Sequence, residues 1–225
     1  MLIAEDLLLL LTDDDSGKPL VDTSELDLGL AGAILVDLAA LDRVDVAGPG
    51  ESVKQGRLYV RDGAPTGEPV LDETLSRIES RSPQKPASAL PHLTKGLRES
   101  LYNRLVERGI VRAEQGKVLG IFPSRQWPAA DSRHEDETRR GLQEVLVVGR
   151  EPTEREALLI SLLYAVEQVP KVLGGDVDKR QVRARAKSIA EGEFAGEAVH
   201  RAVEAVRAAV MTSIAAATVV ASGSS

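Results

Sequence analysis

The chain has 225 residues, 43% apolar and 28% charged, which fits one large globular domain or two small ones and is too apolar for disorder. Aromatics are only 3% and cysteine is absent, so the core falls to Leu, Val, Ile and Ala, and disulfides, thiolate metal sites and thiol nucleophiles are excluded. The net charge of -7 is uneven: residues 1–51 hold twelve acids against Lys18 and Arg43, and the remainder is mildly basic. A domain-wide positive footprint of the kind that binds nucleic acid is missing.

The N-terminus, Met1-Leu2-Ile3-Ala4-Glu5-Asp6, lacks the basic start and apolar run of a signal peptide. Residues 6–11 form a leucine-rich run closed by the turn Thr12-Asp13-Asp14-Asp15-Ser16-Gly17. Ser24 offers a helix cap, with Glu25 and Asp27 in the first turn where the helix dipole favours acids. The helix predicted to follow, to about residue 42, carries Leu26, Leu30, Ile34, Leu35, Leu38 and Leu41 and is apolar on nearly every side, the mark of a buried central helix. Asp37 is its one inner charge and is expected to cap a neighbour or pair with an arginine.

Short alternating runs at 44–46 and 57–61, separated by Gly48-Pro49-Gly50, predict a small sheet. A helix is predicted from about Pro69, and another from about 89 to 108, which Gly109 would end in a left-handed conformation. Strands at 110–114 and 117–122, joined at Gln115-Gly116, complete the outline of a winged-helix module. Helices follow at about 131–148, 153–168 and 178–191, and a long Ala/Val-rich helix at about 193–220. No stretch reaches the roughly 20 apolar residues of a membrane span. The expected architecture is mostly α: one compact helical domain over residues 1–225, with a central buried helix and small β-hairpins.

Catalytic patterns fail one after another. His92, His134 and His200 form no His-x-x-x-His pair, and His134-Glu135-Asp136-Glu137 lacks the second histidine of a zinc protease. Gly48-Pro49-Gly50 and Ser16-Gly17-Lys18 are fragments of nucleotide loops, and Ser82-Pro83-Gln84-Lys85 lacks the partners of a penicillin-binding enzyme. No catalytic residue, metal ligand or cofactor is assigned. The cations are more informative: Lys179, Arg180, Arg183, Arg185 and Lys187 crowd one predicted helix, and Lys179, Arg183 and Lys187 share a face. Ahead of them stands the apolar turn Val169-Pro170-Lys171-Val172-Leu173-Gly174-Gly175. A cationic helix beside an apolar loop suits an anionic membrane; the same residues also suit a solvated face paired with the acidic N-terminal segment.

Several stretches together resemble the Golgi phosphoprotein 3 family in its shorter bacterial, actinobacterial form. They are residues 5–11, Gly29-Leu30-Ala31-Gly32-Ala33-Ile34-Leu35-Val36-Asp37-Leu38, and Ala64-Pro65-Thr66-Gly67 with Val70-Leu71-Asp72-Glu73-Thr74-Leu75. Leu105-Val106-Glu107-Arg108-Gly109, and Arg155 with residues 158–164, extend the likeness to about residue 190. The resemblance implies a non-enzymatic peripheral membrane adaptor that binds phosphatidylinositol 4-phosphate and inserts a hydrophobic hairpin. Its implied partners are an anionic, phosphoinositide-like membrane lipid and a protein client, with no nucleic acid, and its implied place is the cytoplasm or the cytoplasmic membrane face.

Carried over residue by residue, the resemblance puts the family's pocket aromatic near Val21 or Asp22 and its pocket arginine at Ala31, so both contacts are missing. Arg133, Arg139 and Arg140 remain as head-group ligands, and Val172, Leu173, Lys179, Arg180, Arg183 and Lys187 as membrane contacts. Head-group selectivity is therefore expected to be weak. The rival readings are a cytosolic protein-interaction module without lipid binding and a winged-helix DNA-binding regulator.

Overall fold

The computed structural model describes residues 1–118, 122–175, 177–192 and 197–222. Helix α1 (Ile3–Leu10) is buried along its whole length. The Glu5 carboxylate accepts the Leu2 N–H at 2.8 Å and closes its first turn. Against it lies α2 (Thr23–Ala40), the central helix that the all-round apolar pattern predicts. Its cap is Asp22, which accepts the Ser24 N–H at 2.8 Å; Ser24 itself is the second helical residue. Leu30, Ile34, Leu35 and Leu38 are in the core, whereas Leu41 lies just past the helix and is 49% exposed.

Small residues let other helices close on α2. A Cβ at Gly32 would meet Val206 Cγ1 at 2.8 Å, and one at Gly29 would meet Val166 Cγ1 at 2.9 Å. The first contact belongs to α10 (Glu197–Ser222) and the second to the end of α7 (Glu154–Ala165). β1 (Val44–Val46) and β2 (Leu58–Val60) pair antiparallel, with Asp45 opposite Tyr59. Pro69 opens α3 (Pro69–Glu79), as its fixed φ favours.

The single helix expected at 89–108 is two. α4 (Pro86–Leu93) ends before Gly96, whose φ of 75° lies in the left-handed region, and α5 (Leu97–Glu107) starts there. The following strands also lie further along than expected, β3 (Glu114–Val118) pairing with β4 (Phe122–Gln126), and Gln115 and Gly116 sit inside β3. Val111 is buried in the core and bridges to Ala129, which draws Ile110 and Val111 out of the hairpin. Residues 119–121, part of the second predicted strand, lie outside the described residues. Behind the hairpin Trp127 stacks on Tyr102 with ring centroids 4.1 Å apart, and the Tyr102 hydroxyl meets Thr12 Oγ1 at 2.7 Å.

The last third is helical: α6 (Arg133–Gln143), a π-helical turn at Glu144–Val148, α7, the short α8 (Val169–Leu173), α9 (Lys179–Ala190) and α10. Gly149, with φ 93°, ends the π turn, and a Thr153–Glu156 capping box starts α7. Among the described residues, apolar side chains from each of the ten α-helices join one hydrophobic cluster.

Candidate functional site

The three arginines assigned to a head group do not converge. Arg133 and Arg140 are seven residues apart on α6 and share an exposed face. Arg133 is tied to Asp131 at 2.5 Å, and that guanidinium holds the Asp131 carboxyl down at about 2. Arg139 turns the other way. It binds the Glu135 carboxylate and the Val172 carbonyl and so caps α8. Arg140 is exposed and has no ion pair among the described residues. Ala31, at the position of the missing pocket arginine, is fully buried, and Val21 is half-buried.

Glu135 is 4% exposed beneath this face. Burial, and after it the negative charge of Asp14, push its carboxyl up to about 8, against the pull of Arg139. Here the acidic N-terminal turn presses on α6 directly. That turn is fixed from the other side as well, because the Asp14 carbonyl accepts the Ala129 N–H at 2.8 Å.

In the apolar turn expected to meet a membrane the large side chains are buried, while Lys171, Gly174 and Gly175 are exposed. Val172 and Leu173 are 1% and 3% exposed on α8. Gln143 Nε2 donates to the Leu173 carbonyl at 3.2 Å, and Lys171 reaches the Leu20 carbonyl, so α8 is pinned from both sides. The surface instead carries Val147 and Val148, 46% and 80% exposed at the end of the π turn, and Met211 at 37% on α10.

The cations of α9 divide by face. Val182, Ala186 and Ile189 bury one side of the helix. Arg185 pairs with Glu151 at 3.5 Å and Lys187 loosely with Glu191 at 3.9 Å. Lys179, Arg180 and Arg183 are exposed and have no ion pair among the described residues. Asp178 is spent on the helix itself, capping the N–H groups of Arg180 and Gln181.

The helix that a DNA-binding reading would use is differently made. Arg104 on α5 and Arg108 just past its end reach the fully buried Glu5, at 3.1 and 3.2 Å, and Arg98 faces Asp27 at 3.5 Å. Around the hairpin Arg112 meets Glu114 and Arg125 meets Glu99. Each of these guanidiniums faces an acid of the protein, which lowers the net positive charge the surface presents to phosphates, although Arg112 and Arg125 stay more than half exposed. His134, conspicuous in the sequence, bonds Asp6 at 2.7 Å, and Asp6 also holds Arg155 at 2.6 Å.

The molecule is thus a mostly α fold built round a glycine-bearing central helix, with a cationic flank on α9. The sequence matches the Golgi phosphoprotein 3 (GPP34) family over residues 3–206, and the chain belongs to that family. It is similar to vacuolar protein sorting-associated protein 74 of Eremothecium gossypii, 26% identical over 166 residues, which cover 64% of this chain and 49% of the relative. The chain thus spans about half the length of the curated relative it matches. Among the described residues no helix is long and apolar enough to cross a membrane.

Proposed function

We propose that this protein is a non-catalytic peripheral membrane or adaptor protein that binds phosphoinositide-type and other anionic lipids mainly through charge. The observation that carries the reading is the unpaired cationic face of α9, Lys179, Arg180 and Arg183, on a chain whose net charge is -7. Each such cation near an anionic surface contributes about 1 kcal/mol. Family membership supports the same reading, as do the exposed Val147 and Val148. Selectivity for phosphatidylinositol 4-phosphate is weak in this reading, because Arg133 and Arg139 are engaged by carboxylates and position 31 has no cation.

Liposome flotation tests it. The protein should float with phosphatidylserine and phosphatidylinositol 4-phosphate vesicles to similar extents and not with vesicles of phosphatidylcholine alone, and should be released as the Debye length shrinks toward about 3 Å at 1 M salt. The triple variant Lys179→Glu, Arg183→Glu, Lys187→Glu should stay folded and lose flotation. Strong preference for phosphatidylinositol 4-phosphate at physiological salt would mean that Arg133, Arg139 and Arg140 form a shaped pocket on the membrane. No flotation at all would leave the protein-interaction module, and a parallel DNA mobility shift addresses the remaining rival.

A further inference from the structure

Between the end of α7, α8, α9 and α10 lies an open cleft of about 360 Å³. Volumes of about 300–1,000 Å³ are typical of small-ligand sites. Val169 and Pro170 form its buried floor, and Tyr164 and Met211 its partly exposed apolar walls. Arg183 and Lys187, one helical turn apart on α9, supply positive charge; Glu167, beyond the end of α7, supplies negative charge. Arg183 and Glu167 line the same cavity, yet neither makes an ion pair with the other or with any described residue. Opposite charges stand across a gap that neither side chain closes.

Glu167 is in an unusual place for a carboxylate. Its φ is 57°, at the left-handed position where a helix normally ends on glycine. The hydrogen bonds Glu167 N–H to Tyr164 and Gln168 N–H to Leu163, at 3.1 and 2.9 Å, hold it there. A glycine would adopt this backbone without strain but would leave the cleft without its acid. Strained residues of this kind gather at ligand sites.

We propose that the cleft binds the head group of an amino-phospholipid. The phosphate diester sits on Arg183 and Lys187, the primary ammonium on Glu167, and the first carbons of the lipid tails against Tyr164 and Met211. Each charge in the cleft then meets its opposite. The guanidinium of Arg183 suits a phosphate through paired N–H donors, and a compact ammonium suits a single carboxylate. The cavity is too small for two acyl chains, so the tails leave through its open side. The inference rests on the membrane reading above and deepens it by naming a head group and the residues that select it.

The test uses the labelled full-length chain and dihexanoylphosphatidylethanolamine below its micelle concentration, followed by NMR at the Ala184 amide and the Met211 methyl. Dihexanoylphosphatidylglycerol and free phosphoethanolamine are the comparison ligands. The ethanolamine lipid should bind about fivefold or more tighter than the glycerol lipid. Glu167→Gln should abolish that preference, and Arg183→Gln with Lys187→Gln should weaken both lipids by about tenfold or more. Glu167→Gly should also lose the preference while melting no lower than the parent, which separates a binding effect from unfolding. No shift at Ala184 and Met211, in a protein that still floats with anionic vesicles, overturns the cleft and leaves the membrane reading standing. Loss of both overturns both. Shifts without flotation keep the cleft and remove the membrane reading. Equal affinity for free phosphoethanolamine and the lipid overturns the lipid assignment, because the walls would then add nothing.

Discussion

Asp37, in the body of the central helix, accepts the backbone N–H of Ile3 at 2.9 Å and, with its other oxygen, that of Ala4 at 3.1 Å. The first N–H groups of a helix have no partner inside it, and here α1 is buried at that end, so water cannot serve. A carboxylate borrowed from α2 serves instead. It fixes the angle at which the two leucine-rich helices meet.

Asp37→Ala should therefore destabilise the protein by about 2–4 kcal/mol, because two buried donors are stranded. Asp37→Asn keeps one acceptor oxygen and should lose roughly half of that. Urea unfolding of the two variants measures the difference. Equal and negligible losses would mean that α1 is held by packing alone.

Leu35 is 1% exposed on the same helix, and Leu41 is 49% exposed just past its end. Leu35→Asp should prevent folding, since an unpaired buried carboxylate costs several kcal/mol against a typical stability of about 5–15 kcal/mol. Leu41→Asp should be within about 0.5 kcal/mol of the parent. Solubility and a cooperative melt distinguish the two outcomes.

The central helix, its inner acid and the Gly109 stop were legible because each rests on local chemistry: all-round apolarity, a lone charge among leucines, a glycine after a helical run. The break at Gly96 was less so, because Pro91 and Gly96 interrupt a stretch whose apolar spacing continues on both sides of them. The shift of the hairpin was not legible at all, since Ile110 and Val111 alternate like strand residues and only the core decides where they go. The same holds for the membrane contact. The turn's two glycines are at the surface, as they read, but Arg139 and Gln143 bind the Val172 and Leu173 carbonyls from a helix some thirty residues away, and those two side chains face the core. The signal that could have pointed outward was Val147-Val148-Gly149, two adjacent valines at a helix end followed by a stop.

Two buried carboxyls give the stability a pH dependence of known sign. Burial raises Asp37 to about 6 and Glu135 to about 8, so at both sites the folded state holds its proton more tightly than the unfolded chain does. Their contribution is complete below the ordinary carboxylate pKa of about 4 and is lost as pH rises through 6 and then 8, at no more than about 1.4 kcal/mol per unit for each group. Glu135→Gln should remove the fall between about pH 6 and 8 and leave roughly half of the fall between about 4 and 6, the share of Asp37. Denaturation midpoints across that range check this; an unchanged profile would mean that Arg139 keeps Glu135 ionised.

The last pair of substitutions sets a buried valine against an exposed one. Val172 has the buried floor of α8 around it, and Val172→Glu should destabilise by several kcal/mol through the unpaired charge. Val148 is 80% exposed where the π turn runs into Gly149, and the folded protein gives it little to pack on. Val148→Glu should leave the melting temperature essentially unchanged. On a membrane the two residues differ in the opposite sense. Seating Val147 and Val148 in the bilayer interface would contribute at most about 1.5–3 kcal/mol each, and an added acid there would also repel anionic lipid. Val148→Glu should accordingly reduce flotation with anionic vesicles about tenfold or more while the fold is intact. If Val148→Glu floats like the parent, the π turn is not at the membrane and the α9 cations act without an apolar anchor there.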